Sequence, residues 1–398
     1  MNALAQPIKE FENLSELLSD LDREGITGIE KRRIAANFLL RKSRLHGRPY
    51  SASFELTPLC NFDCKMCYVH LTKAQMEKER PILTTEEWLD IARQSVDAGV
   101  NCIDITGGEC LTHPGFCELY LYLINRGVQV SVLTNGSLIT EKHIKLFAQY
   151  KPVSVQISLY GSSPDAYIKV TGHDHFRDVI NAVEQLKRAR IHVTLSVMPN
   201  RFMQEDSEAL LNLLHRINVD YTIGSTTIPA RGETGRKIAD YIIDNDAYIA
   251  ICKQEMQYRK QLAESLSPQL LPEAAMKPYQ YRIKGQESFT GAPCAAGAAN
   301  FHINWKGEMQ PCISFQAVKH PVLNCGIEEA WAYIRETMNS YRPPAECASC
   351  ELRDVCLGCV AEKTGGILNG ALNSWVCKRM HASFKTDCTL HESGECTI

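Results

Sequence analysis

The sequence predicts an α/β protein: a partial (β/α)6 TIM-like barrel followed by a small cysteine-rich C-terminal domain. Two observations predict it. Between Ala52 and Thr226, short β-rich runs alternate with amphipathic segments. From Gly291 onward the chain is rich in Cys and Gly and poor in long periodic segments. Strands separated by helices imply parallel pairing with right-handed crossovers. Six such units rather than eight fit a partial barrel or an open sheet, and in both the ligands sit at the C-terminal ends of the strands.

Each element has its own signal. Residues 1–49 read as a helical segment from about Ile8 to Ser43, with Leu14, Leu17, Leu18 and Leu21 recurring at three and four. Residues 50–230 hold the barrel strands, expected at Ala52–Thr57, Val100–Thr106, Val128–Thr134, Val153–Leu159, His192–Met198 and Val219–Thr226. Between the first two, Thr84 and Glu87 form a capping-box pair, Trp88, Ile91 and Ala92 make an apolar face, and Gly99 stops the helix. Another helix, Arg177 to Arg188, carries Val179, Ile180, Val183 and Leu186 on one side. Residues 231–290 read as a polar helical connector interrupted by Pro268, Pro272 and Pro278. Residues 291–398 form the cysteine-rich domain, periodic only over Ile327 to Met338, and a domain of this kind is held by metal rather than by a large core.

Composition removes several function classes. With 43 Lys+Arg against 46 Asp+Glu, a net charge of −3 gives no electrostatic footprint for nucleic acid or an anionic membrane. No apolar run is long enough to span a bilayer. The opening MNALAQPIKEFENLSELLSDLDREG is charged throughout, unlike a signal peptide, so a cytoplasmic location is expected. Seventeen cysteines in a reducing compartment point to metal or redox chemistry rather than disulfides.

Cys60, Cys64 and Cys67 follow the first strand in LTPLCNFDCKMCYVH. Three thiolates can hold three irons of a cubane and leave the fourth without a protein ligand. Ferredoxin-type carriers use four cysteines per cluster, whereas catalytic metal sites keep a position open. The alternatives at this point are a zinc loop completed by a residue such as His70, or three unrelated buried thiols.

CNFDCKMC resembles the CxxxCxxC signature of radical S-adenosylmethionine (SAM) enzymes, and the resemblance continues along the barrel. It implies that Gly107, Gly108 and Glu109, reading TGGE after the second strand, contact the methionyl amino group of SAM. It places Asn135 at the end of the third strand, Ser158 on the fourth, and Ser196 and Met198 on the fifth among the remaining SAM contacts, with Gly224 near the end of the sixth. Two departures stand out. Met66 occupies a usually aromatic position, where its sulfur can still pack against adenine. Cys110 replaces a common Pro, either as a small buried residue or as a thiol near the reaction chamber. Asp165, Tyr167, His173 and His175 follow the fourth strand and face substrate or serve as ordinary loop residues. No general base is assigned. Cys102, Cys117 and Cys252 read as packing residues.

Downstream, Cys294, Cys312, Cys347, Cys350, Cys356, Cys359 and Cys377 resemble the SPASM extension of radical SAM peptide and protein maturases, although Cys359 follows Cys356 one residue early. The resemblance implies three 4Fe-4S clusters. One binds SAM; Cys347, Cys350, Cys356 and Cys377 hold a second; Cys294, Cys312 and Cys359 hold a third. The fourth ligand of the third cluster is left among Cys325, Cys388, Cys396, His302 and a substrate group, and zinc knuckles are the bland alternative for the CxxC pairs. The implied activity is reductive cleavage of SAM to a 5′-deoxyadenosyl radical that takes hydrogen from a ribosomally made peptide. A flavodoxin- or ferredoxin-type donor, and a separate leader-recognition protein, are the implied partners. The other readings are a dehydrogenase or epimerase of a small sugar, alcohol or amine, and a non-catalytic iron–sulfur carrier.

Overall fold

A computed structural model describes residues 9–224, 228–265, 281–284, 294–353, 356 and 358–385. Six strands in chain order build the barrel sheet: β2 (Ser51–Glu55), β3 (Cys102–Thr106), β4 (Gln129–Thr134), β5 (Ser154–Ser158), β6 (Val193–Val197) and β7 (Asp220–Ile223), each parallel to the next. They fall within the ranges predicted from the sequence, except that β2 begins one residue earlier, at Ser51; Thr226, the predicted end of the last, lies outside the described residues. A three-residue strand β1 (Lys9–Phe11) precedes them, and β8 (Tyr281–Ile283), β9 (Asn300–Ile303), β10 (Glu308–Gln310) and β11 (His320–Pro321) follow.

The helices are α1 (Leu14–Arg23), α2 (Gly28–His46), α3 (Lys73–Glu79), α4 (Thr85–Asp97), α5 (Phe116–Asn125), α6 (Glu141–Gln149), α7 (Pro164–Thr171), α8 (Phe176–Arg188), α9 (Ser207–Ile217), α10 (Asn245–Ser265), α11 (Gly326–Asn339), α12 (Val360–Lys363) and α13 (Ser374–Lys385). In α4 both halves of the Thr84/Glu87 capping box form, and Trp88, Ile91 and Ala92 are buried.

Alternation along the strands sorts the two faces of the sheet. Ala52 and Phe54, Ile103 and Ile105, Val130 and Val132, Val155 and Ile157, and Val193 and Leu195 are all buried, and Phe54 meets Trp88 of α4 with ring centroids 5.4 Å apart. The opposite face is polar and small. Ser53 pairs with Asp104, Asp104 with Ser131, and Ser131 with Ser154 across three ladders. A complete TIM barrel fills this space with branched apolar side chains; here it stays polar and leads to an open chamber.

The sheet does not end with the barrel. β9, from the cysteine-rich region, adds parallel to β2, and the β10–β11 hairpin extends it antiparallel, giving the order β11-β10-β9-β2-β3-β4-β5-β6-β7. The N-terminal segment is mainly helical, as expected; among its described residues a strand comes first, and the helical run breaks between α1 and α2, where Gly25 takes a left-handed φ of 73° that an L side chain resists. β1 pairs in parallel with β8, enclosing a small separate core of Leu17, Leu21, Ile34, Phe38 and Ile283. Among the described residues of 231–290, the α-helical reading holds for α10, and the three prolines lie outside the described residues. Tyr241, Ile243, Tyr248 and Ile251 from this stretch are buried, so it packs rather than merely connects. Among the described residues, no helix is long and apolar enough to cross a membrane.

Candidate active site

The C-terminal strand ends surround a cavity of about 290 Å³. Cys60, Cys64, Met66 and Cys67 line it from the loop after β2. Gly107 and Gly108, Asn135, Ser158, and Ser196 with Met198 line it from successive strands, while Ile228, Tyr241 and Ile313 close it from later in the chain. Nine of the ten sequence-predicted positions in the barrel therefore meet in one place; Glu109 is the exception.

The two glycines are required by how closely the β3 turn approaches the cysteine loop. A Cβ on Gly107 would lie 2.8 Å from the Thr57 carbonyl oxygen, and one on Gly108 only 2.5 Å from that of Leu59. This contact carries two hydrogen bonds, Gly108 N to Thr57 O and Glu109 N to Leu59 O. The Glu109 carboxylate points into the protein. It accepts from the Thr134 hydroxyl at 2.7 Å, the Asn135 amide at 2.7 Å and the Leu111 amide at 3.1 Å. Glu109 thus locks the end of β3 to the end of β4. Gly224 has a related steric role: a Cβ there would lie 2.1 Å from Met198 Sδ, so its absence makes room for the methionine.

Donors aim at the sulfurs. The Phe62 amide reaches Cys60 Sγ at 3.3 Å, the His70 amide reaches Cys67 Sγ at 3.2 Å, and Asn135 Nδ2 lies 3.6 Å from Cys60 Sγ. Amide bonds to cluster-bound thiolates are a standard lever on iron–sulfur sites. Burial pushes the Cys60 thiol up to about 12 and raises Cys64 and Cys67 as well, so cationic iron would be needed to hold all three as thiolates. Among the described residues, no three cysteines bring their sulfurs within 4.8 Å of one another. A single tetrahedral zinc would need sulfurs about 3.8 Å apart. A cubane takes each thiolate on a different iron and does not require three sulfurs that close. His70 does not complete a zinc site; its Nδ1 lies 3.3 Å from the exposed Asp63 carboxylate.

Residues that the sequence did not single out tie this loop down. Arg231 grips the buried Glu55, at the end of β2, through two bonds of 2.5 and 2.8 Å. Burial alone would raise the Glu55 carboxyl, but Arg231 and His302 outweigh it and hold it at about 2. The Tyr68 hydroxyl also reaches Glu55, at 3.4 Å, and the Arg231 amide donates to the Tyr68 carbonyl. Arg236 binds Asp63 at 2.5 Å and the carbonyls of Cys67 and His70 at 3.4 Å. A glutamate beside an extended run and two arginines in a polar stretch carry no local signal of this pairing.

Other expectations resolve in place. Cys110 is fully buried and donates to the Leu133 carbonyl, as a packing residue would. His173 and His175 pack on Phe62, the latter stacked at 5.2 Å, and Tyr167 donates to the Ser158 carbonyl. None of these, nor Asp165, lines the cavity. His302 is wholly buried in the barrel sheet, with Nδ1 2.8 Å from Ser53 Oγ and Nε2 3.4 Å from Glu55. It is therefore committed to the barrel rather than to the downstream cysteines. Cys325 lies apart from these cysteines' groups, beside His320 at 3.3 Å and donating to the Pro321 carbonyl. Cys388 and Cys396 lie outside the described residues.

The downstream cysteines fall into two groups. Cys312 feels Cys294 and Cys359, and burial pushes Cys312 up to about 12 and Cys359 to about 11. Cys377 feels Cys347, Cys356 and Cys350. Burial, with Cys347, Cys294 and Cys359 adding to it, pushes the Tyr341 hydroxyl up to about 12.

Residues 54–241 match the model of the Radical SAM superfamily. The chain is 25% identical over 334 residues to an AdoMet-dependent heme synthase of Nitratidesulfovibrio vulgaris, a match spanning 78% of this chain and 86% of that protein. It is 25% identical over 266 residues to the sporulation killing factor maturation protein SkfB of Bacillus subtilis, covering 66% of this chain and 60% of SkfB. The fold is similar to that of Streptococcus suis SuiB bound to its precursor peptide SuiA, with a TM-score of 0.63, 16% identity, and coverage of 91% of this chain and 87% of that one. With the three-cysteine loop, the glycine-paired turn and the open strand ends assembled around one chamber, residues 54–241 of this chain form a radical SAM domain.

Proposed function

We propose that this radical SAM enzyme modifies a ribosomally made peptide. The observation that carries the reading is the chamber, which draws one wall from the three-cysteine loop and another, Ile313, from beside Cys312 of the cysteine-rich region. The similarity to SkfB and the fold shared with peptide-bound SuiB support the substrate class.

On this reading Cys60, Cys64 and Cys67 hold the SAM-binding 4Fe-4S cluster. Cys347, Cys350, Cys356 and Cys377 hold one auxiliary cluster, and Cys294, Cys312 and Cys359 hold another. When bound, the cluster and SAM supply a 5′-deoxyadenosyl radical that removes hydrogen from an unactivated carbon. The chain's own work is positioning and exclusion of water. The backbone of Gly107 and Gly108 presents the polar end of SAM to the cysteine loop, and Glu109 holds that backbone in place. Ser158 and Ser196, paired across β5 and β6, face the ribose. Met66 and Met198 enclose the adenine. Arg231 and Arg236 fasten the later chain over the loop. A flavodoxin- or ferredoxin-type protein donates the electron, and a separate protein recognises any leader.

A second reading has its own observation. The match to the heme synthase is longer than that to SkfB and spans most of both chains, and on it the chamber takes a tetrapyrrole.

Anaerobic reconstitution, reduction and SAM addition should yield 5′-deoxyadenosine, and Cys60→Ala should abolish it. A peptide encoded beside the gene should raise the yield and itself change mass. A yield that rises with a porphyrin and with none of the neighbouring peptides would sink the peptide reading. Iron and sulfide analysis tests the auxiliary sites: Cys312→Ala and Cys350→Ala should each lose about one cluster of three.

A further inference from the structure

Beyond the barrel and the two downstream cysteine groups, one more set of metal-ligating side chains converges. His320 of β11, Cys325 before α11 and Glu329 in its first turn bring one ligand atom each to within 4.8 Å of one another, the only trio of His, Cys, Asp or Glu among the described residues to do so. From this convergence we propose a mononuclear site for a divalent transition cation of the zinc class, bound through imidazole nitrogen, thiolate sulfur and carboxylate oxygen.

The donor types and spacing carry the argument. Zinc takes sulfur at about 2.3 Å and imidazole nitrogen at about 2.0–2.1 Å, which sets a tetrahedral N···S edge of roughly 3.5 Å. His320 Nδ1 and Cys325 Sγ are 3.3 Å apart. A mixed N, S, O set suits zinc over magnesium or calcium, which prefer all-oxygen shells. Glu329 is exposed while His320 and Cys325 are half-buried, so the site opens to solvent on one side and leaves a fourth position for water.

The framework is rigid where it must be. The His320 ring packs against Tyr333, with centroids 4.7 Å apart, one turn beyond Glu329 on the same helix face. The start of α11 is pinned to α4, where Gln94 Oε1 accepts from the Ile327 amide at 3.0 Å. The three donors therefore come from two elements that are already fixed relative to each other. A bound cation would staple the outermost strand of the nine-stranded sheet to α11, with the thiol proton now given to the Pro321 carbonyl released to solvent.

The test uses the full-length protein with its iron–sulfur clusters reconstituted, equilibrated with zinc sulfate and desalted. About one zinc per chain is expected above the level of a His320→Ala/Cys325→Ser double variant, with iron unchanged. Zinc K-edge absorption should show one sulfur and otherwise nitrogen or oxygen neighbours. Each single variant should weaken zinc retention at least tenfold, and Glu329→Gln less. Zinc uptake equal in the wild type and the double variant would overturn the proposal. So would a shell with two or more sulfurs, which would place the metal on the cluster cysteines.

Discussion

Arg231 and Glu55 face each other through both terminal guanidinium nitrogens and both carboxylate oxygens, buried, 176 positions apart in the chain. Their bond joins the end of the first barrel strand to the stretch that follows the last. Breaking a buried pair from one side leaves an uncompensated charge, which costs about 3–5 kcal/mol. Glu55→Gln should therefore lower the denaturation midpoint of the reconstituted protein sharply, while Glu55→Gln combined with Arg231→Met should recover part of the loss. Chemical denaturation at pH 7.5 measures both.

The same carboxylate sets an acid limit. Its folded value of about 2 lies below the ordinary 4.5, so its contribution is complete above pH 4.5 and disappears as pH falls toward 2. Wild-type stability should drop through that window, and the drop should be shallower in Glu55→Gln.

Asp104 works in the opposite direction. Burial among the small polar side chains of the barrel raises it to about 6, against an ordinary 3.8. The folded state takes up a proton that the unfolded state does not, so stability rises as pH falls from 6 toward 4. Asp104→Asn should be more stable than wild type by about 1–2 kcal/mol at pH 7.5, and the advantage should vanish near pH 4. Thermal melts across that range decide it.

Gly108→Ala would force a methyl into the Leu59 and Pro58 carbonyls, at 2.5 and 2.7 Å. Neither is a flexible side-chain end, so the cysteine loop must shift, at about 2–3 kcal/mol. Iron per chain should fall by about one cluster, and 5′-deoxyadenosine formation should be lost.

Gly224→Ala differs because its clash is with the thioether of Met198. The methionine can rotate into the chamber, so stability should change by about 1 kcal/mol or less. SAM affinity should weaken about tenfold, as equilibrium dialysis would show.

What could be read from the chain follows the range of each signal. The barrel strands and the α4 cap were legible because each rests on a pattern spanning a few residues, and the chamber-lining residues from Cys60 to Met198 through the family resemblance that the CNFDCKMC and TGGE motifs carry. The Glu55–Arg231 pair, the commitment of His302 to β2 and the β1–β8 ladder were not, because their partners are 176 or more positions apart and strands of three or four residues carry no usable period. Glu109 shows the same limit in another form: the GGE segment located the turn, but only three-dimensional contacts reveal that its carboxylate braces two strand ends.

The placement of β9 beside β2 has a consequence for synthesis of the protein. Residues 51–55 leave the ribosome about 250 positions before residue 300. At about 5–20 residues per second, that is a delay of roughly 12 to 50 seconds. Throughout it one side of β2 has no strand partner, and an unpaired edge invites pairing with another chain. Nascent protein is thus most vulnerable to aggregation in this interval, and a transcript truncated before residue 300 encodes a barrel whose first strand never acquires its second neighbour.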